Sequence, residues 1–141
     1  MARPPHFLVP LLTTTAGAWE LVVPRLERPL ATRVEGAFDS KSRTHGLLGR
    51  SSFAEGAALV IAPSGAVHTF GMKFPIDLVY ARRDGRVIKL RHSMPRNRMS
   101  AALGAFAVIE LPAGTVERAG LVVGDRLEIR AAKDDTHRGA I

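Results

Sequence analysis

"IDLVYARRDGRVIKLRHSM", residues 76–94, reads as two runs of strand-forming residues joined at Asp84-Gly85. That dipeptide accepts the positive φ angles of a tight turn, so the stretch predicts an antiparallel hairpin. The same alternation extends in both directions along the chain. Downstream, "AFAVIELP" (105–112) and "DRLEIR" (125–130) read as strands. Upstream, "AALVIAP" (57–63) and "AVHTF" (66–70), separated by Ser64-Gly65, predict a second hairpin, and "AWELVVP" (18–24) with "LATRVEGAF" (30–38) predict an opening strand pair around Pro24 and Pro29. Two segments break the alternation. "DSKSRTHGLLGR" (39–50) predicts a short helix capped by Asp39 or Ser40 and ended by Gly46 or Gly49, and "AGTVERAG" (113–120) predicts a turn or two of helix closed by Gly120. Seven or eight closely spaced strands with two short helices predict a mainly β chain, built as a single antiparallel β-sandwich or barrel.

The length of 141 residues suits one domain, expected over 18–130, with an irregular N-terminal arm (1–17) and a polar, frayed C-terminal tail (131–141). The longest apolar runs, such as "AALVIA" at 57–62, are far too short to span a bilayer as a helix. The N-terminal stretch has an Ala16-Gly17-Ala18 that mimics an export cleavage site. Pro10, however, interrupts an apolar run shorter than the about 7–15 residues an export signal needs. The expectation is a cytoplasmic protein, with export through a weak signal as the lesser alternative. The chain has no cysteine, which excludes disulfides, thiolate metal sites and cysteine nucleophiles.

The net charge is +7, and most of it lies in one place. Between Arg82 and Arg98 seven basic residues face one acid, Asp84. Arg82, Arg83, Lys89 and Arg91 are candidate anion-binding residues, and the whole stretch could serve an adaptor for nucleic acid or an acidic protein. An ordinary solvated face accounts for it equally well, and Tyr80 is the one aromatic nearby, which weighs against base stacking.

The densest chemistry lies in "HTFGMKFPID" (68–77). Alternation places His68 inward with Ala66 and Phe70, and Thr69 on the opposite face. Gly71 permits a bend or a close approach to a ligand; Met72 reads as core filler or pocket wall. Asp77 sits inside an apolar strand on the face of Val79 and Ala81, and Glu110 shares a face with Phe106 and Val108. Each buried carboxylate needs hydrogen bonds or a charge partner, since its desolvation is costly. For Asp77 the structural answer is the backbone amides of the loop from Gly71 to Pro75. The functional answer is a set of His68, Asp77 and Glu110 converging as general acid and base or around a hard metal. No metal-binding motif, serine elbow or phosphate-binding loop is present, and no cofactor is expected.

The motifs "GLLGR" (46–50), "HTFGMKFPID" (68–77), "DGRVIKL" (84–90) and "VIELPAGTVERAGLVVGD" (108–125), in this order, resemble the prokaryotic family known as domain of unknown function 192. The resemblance spans roughly residues 30–130 and implies a compact β domain of sandwich or jelly-roll type with no established activity. The commoner family pattern has a tryptophan before the methionine, where Gly71 stands. It also has cysteines where this chain has Ser64 and "NRMSAALG", so no thiol role carries over. The resulting expectation is a binding module for a small or polymeric anionic ligand, its pocket rimmed by His68, Thr69, Gly71, Met72, Asp77 and Glu110. An enzyme using the three titratable residues is the alternative.

Overall fold

The computed structural model describes residues 5–13 and 19–132. Among the described residues there are nine strands: β1 (Trp19–Val22), β2 (Arg33–Ala37), β3 (Ala57–Ile61), β4 (Ala66–His68), β5 (Ile76–Ala81), β6 (Val87–Met94), β7 (Met99–Ala101), β8 (Ala107–Pro112) and β9 (Glu128–Ala131). Five of them form an open central sheet in the order β2-β3-β8-β5-β6, and β1-β9 and β4-β7 form separate two-stranded ribbons. The chain is therefore mainly β and sandwich-like, not a closed barrel.

Every residue of β5 is buried, and a composition that is apolar apart from Asp77 suits a strand covered on both faces. One face of the sheet carries Val60, Val79, Ile109 and Leu111, packed with Leu21 of β1, Ile129 of β9 and Val116. The other carries Leu59, Ile61, Leu78, Tyr80 and Val108, packed with Leu47, Met72 and Met94 and bordered by Val67 of β4. We call these the ribbon face, after β1-β9, and the helix face, after the short helix that borders it.

Among the described residues three short helices punctuate the strands. In α2 (Ser40–His45) the Asp39 carboxylate accepts the Ser42 N–H, and Gly46, at φ 50°, ends the turn by donating its own N–H to the Ser42 carbonyl. In α3 (Thr115–Ala119) Gly120 closes the helix at φ 73°. Both ends match the sequence expectation. The third, α1 (Val9–Thr13), lies within the expected irregular arm, where Leu8 is fully buried in the ribbon-face core. The expected tail lies outside the described residues from 133 onward. No helix among the described residues is long and apolar enough to cross a membrane.

The hairpin of 76–94 forms as β5-β6, but its turn differs from the expectation. Gly85 alone takes a positive φ, 90°, while Asp84 does not, and the Gly85 N–H donates to the Arg82 carbonyl at 2.9 Å. The loop is thus three residues, Arg83 to Gly85, rather than a two-residue turn on Asp84-Gly85. It also docks: the Leu127 N–H donates to the Gly85 carbonyl, and a Cβ at Gly85 would collide with the Leu127 carbonyl oxygen.

Both other expected strand pairs are corrected. β1 pairs along its length with β9, and the expected pairing with 30–38 is reduced to an antiparallel bridge from Leu21 to Ala31. β2 instead runs parallel to β3, because the connection through α2 over residues 38–56 is long enough to return the chain to its starting end. The sheet is therefore mixed rather than purely antiparallel. β3 and β4 form no hairpin: β3 lies between β2 and β8, and the Gly65 carbonyl accepts the Ala102 N–H, which commits β4 to β7.

Candidate functional site

Asp77 and Glu110 occupy neighbouring strands, yet register separates them. Leu78 lies opposite Glu110 and Asp77 opposite Leu111, so the two carboxylates emerge on opposite faces of the sheet. Asp77 is fully buried on the ribbon face. Its two oxygens accept the Ser93 N–H at 2.7 Å and the Val116 N–H at 2.8 Å, tying β6 and α3 to β5. Backbone amides satisfy it, as the structural reading required, although they come from Ser93 and Val116 and not from the loop before Pro75. The trio of His68, Asp77 and Glu110 does not converge. Asp77 is bonded into the fold and lies outside the lining of the cleft that Glu110 borders.

Glu110 is different. It is only 5% exposed and no hydrogen bond reaches its carboxyl among the described residues. It lines a cleft of about 270 Å³ on the helix face, walled by α2 and Gly46 on one side and by Ala66, Val67 and His68 of β4 on the other, with Leu47, Leu48, Ile61 and Met72 as apolar lining. Burial pushes its pKa up to about 7, and the Arg50 charge offsets this only in part. Arg50 is otherwise occupied, its guanidinium forking onto the Glu35 carboxylate at 2.9 and 3.3 Å. Two further buried polar atoms on this face, Tyr80 Oη and Ser100 Oγ, lie near each other but have no hydrogen bond of good geometry. Burial raises the Tyr80 pKa, with the Ser100 hydroxyl acting against it.

β4 turns the opposite way from its expected orientation. Ala66, His68 and Phe70 face solvent, and Thr69 is fully buried. Thr69 is a clasp for the turn after β6: its hydroxyl donates to the Pro95 carbonyl at 2.7 Å and accepts the Arg98 N–H at 2.9 Å. His68 stands at the cleft rim, its ring 5.4 Å from that of Phe70. Met72 is buried and forms part of the cleft wall; Gly71, at φ 79°, is an exposed turn residue beside Leu48. Of the six expected pocket residues, His68, Met72 and Glu110 meet at the cleft.

The residues not anticipated include those of α2 and its closing glycine. Arg43, Thr44, His45 and Gly46 form one wall, and a Cβ at Gly46 would stand 3.5 Å from Glu110 Oε1. The available signal was the glycine motif "GLLGR", whose first glycine is this residue. Among the described residues no three His, Asp or Glu side chains assemble into a group that could hold a metal ion.

The basic hairpin is divided by its contacts. The Arg83 guanidinium lies over the Phe106 ring at 5.0 Å, and the Lys89 ammonium donates to the Ala101 carbonyl at 2.6 Å and lies over the Tyr80 ring. Arg82 is exposed at the loop and Arg91 along β6. Arg83 and Lys89 are half-buried.

A family model, DUF192, described as "Uncharacterized ACR", matches residues 23–129. Two solved structures share the fold. One is a protein of unknown function from Novosphingobium aromaticivorans DSM 12444, 23% identical, with TM-score 0.63, covering 68% of this chain and 74% of its own. The other, from Sinorhizobium meliloti 1021, is described as a "putative transcription regulator"; it is 25% identical, with TM-score 0.69, covering 78% of this chain and 90% of its own. No curated protein matches the chain.

Proposed function

The chain belongs to the DUF192 family, whose molecular function is unknown, and from that premise we propose that it is a small-ligand binding module with its site in the cleft between α2 and β4. The reading takes residues 18–130 as one cytoplasmic β domain, and the ribbon that joins Trp19 to Ala131 supports treating the two ends as one unit. One observation carries it. Glu110 is a nearly buried carboxyl without a hydrogen-bond partner at the floor of an open cleft, a costly arrangement for which packing gives no return. A ligand that bonds to it gives that arrangement a use.

The test separates use from architecture. Replacing Glu110 with leucine removes the desolvated carboxyl and keeps the volume, so Glu110→Leu is expected to melt higher than the wild type at pH 8, by about 1–3 kcal/mol of stability. Fragment screening by amide NMR is expected to give hits clustered at Gly46 and His68 in the wild type and none there in the variant. A destabilised Glu110→Leu, or hits scattered away from the cleft, contradicts the reading.

A polyanion adaptor acting through residues 82–98 is a second reading, supported by the description of the Sinorhizobium meliloti protein. It is the weaker one, because Arg83 and Lys89 are already engaged within the fold.

A further inference from the structure

We propose that the ligand of this cleft is a small aliphatic monocarboxylate, its carboxylate hydrogen-bonded to the Glu110 carboxyl at the floor and flanked by the His45 and His68 imidazoles at the rim. The inference rests on the binding reading above and names the chemistry that the cleft selects.

The charge of the lining excludes a cation first. Apart from Glu110 the ionisable residues at the cleft are Arg43, His45 and His68, and Arg50 acts on Glu110 from outside the lining. An ammonium group entering there meets basic groups at the rim. A dianion fares no better at the floor. Arg43 is tethered through Nη1 to the Phe38 carbonyl at 2.9 Å and Arg50 is forked onto Glu35, which leaves a phosphate only the remaining Arg43 N–H groups to neutralise two charges. The floor offers one carboxyl, and a carboxyl in its acid form is one hydrogen-bond donor. A monocarboxylate uses that donor and needs no second one beneath it.

Size and polarity set the rest of the ligand. The cleft holds about nine waters' worth of space at ~30 Å³ each, which suits a short chain rather than a polymer. Leu47, Leu48, Ile61, Val67 and Met72 supply an apolar wall for the aliphatic part. Gly46 keeps the floor reachable, since a side chain there would stand against Glu110 Oε1.

Proton linkage follows from this arrangement. Arg50, from the loop after α2, acts on the Glu110 charge and Tyr80 of β5 feels it, while Arg43 and His45 of α2 and His68 of β4 are the other titratable groups at the cleft. Burial holds the Glu110 proton to near neutral pH, and the bound carboxylate shares that proton instead of displacing it. Affinity then scales with the fraction of Glu110 in its acid form and falls about tenfold per pH unit above neutrality.

The experiment titrates the full chain with butyrate, inorganic phosphate and butylammonium, followed by amide NMR and calorimetry. Butyrate is expected to shift the Gly46 and His68 amides, to bind about fiftyfold more weakly at pH 9 than at pH 7, and to take up close to one proton at pH 8. Glu110→Gln carries a permanent amide donor, so its butyrate affinity is expected to vary less than twofold over that range. A slope that survives in Glu110→Gln overturns the inference, because the proton then resides elsewhere. Tighter binding of phosphate or butylammonium at the same amides overturns the monocarboxylate and leaves the binding reading standing. Failure of all three probes, together with a fragment screen that avoids the cleft, overturns both.

Discussion

The two faces of the central sheet treat a buried carboxylate in opposite ways. On the ribbon face Asp77 has no exposure and both oxygens accept backbone amides, from Ser93 and Val116. On the helix face Glu110, one strand away and nearly as buried, has no hydrogen bond among the described residues, and Tyr80 Oη and Ser100 Oγ are similarly unpartnered. The cleft opens Glu110 to solvent, but with only 5% of the residue exposed water replaces little of what the two amides give Asp77. What differs is the cover. β6 and α3 present N–H groups to Asp77, whereas the cover above Glu110 is a glycine and a cleft. Satisfied polarity marks the part of this protein that holds the fold together, and unsatisfied polarity marks the part left open.

Removing the satisfied carboxylate gives the largest expected effect. Asp77→Ala leaves two amides without an acceptor, each costing about 1–3 kcal/mol, so unfolding in urea at pH 7 is expected to show a loss of roughly 2–6 kcal/mol. Ser93 adds to the consequence, because its φ of 45° is a strained conformation held in place by the bond to Asp77. A loss below 1 kcal/mol would erase the distinction between the faces.

Glu110 should respond to pH in the direction that its orphaned state dictates. Its folded pKa, about 7, lies above the ordinary value of 4.5, so the folded state binds the proton more tightly than the unfolded state. Stability from this group is complete below pH 4.5, falls as pH rises to about 7 and is absent above it. At ~1.4 kcal/mol per pH unit the loss amounts to about 3 kcal/mol. Wild-type stability is therefore expected to decline across this window relative to Glu110→Gln, in which the decline is missing. Parallel curves for the two proteins would show that Glu110 has a partner in solution.

How much of this the sequence disclosed depends on which interactions are local. The hairpin at 76–94, the caps at Asp39 and Gly46, and the closure of α3 at Gly120 are encoded within a few residues and were legible. The costly placement of Asp77 and Glu110 was legible too, from their apolar neighbours. Their opposite faces were not, because relative orientation depends on the register of β5 against β8, which no single strand records. β4 shows the same limit at smaller scale. An alternating reading with Phe70 inward puts His68 inside, but pairing with β7 turns Thr69 in and leaves Phe70 48% exposed. The wall contributed by α2 was hidden because parallel pairing of β2 with β3 brings it over the sheet, a non-local consequence of a long connection.

His68 and Thr69 repeat the contrast between the faces in two consecutive residues, and His68→Ala is the smallest expected effect on stability. Thr69 is the buried clasp on Pro95 and Arg98; His68, its neighbour, is exposed and touches little beyond the Phe70 ring. An exposed side chain without a buried bond contributes within about 0.5 kcal/mol, so the melting temperature of His68→Ala is expected to match the wild type. Its rim position predicts a different outcome for binding. One hydrogen bond at a partly solvated rim is worth about 0.5–1.5 kcal/mol, which corresponds to a two- to tenfold weaker butyrate affinity at pH 7. Unchanged affinity would confine recognition to Glu110 and α2. A lowered melting temperature would mean that β4 depends on His68, and the division between holding the fold and meeting a ligand would then fail where the two roles stand side by side.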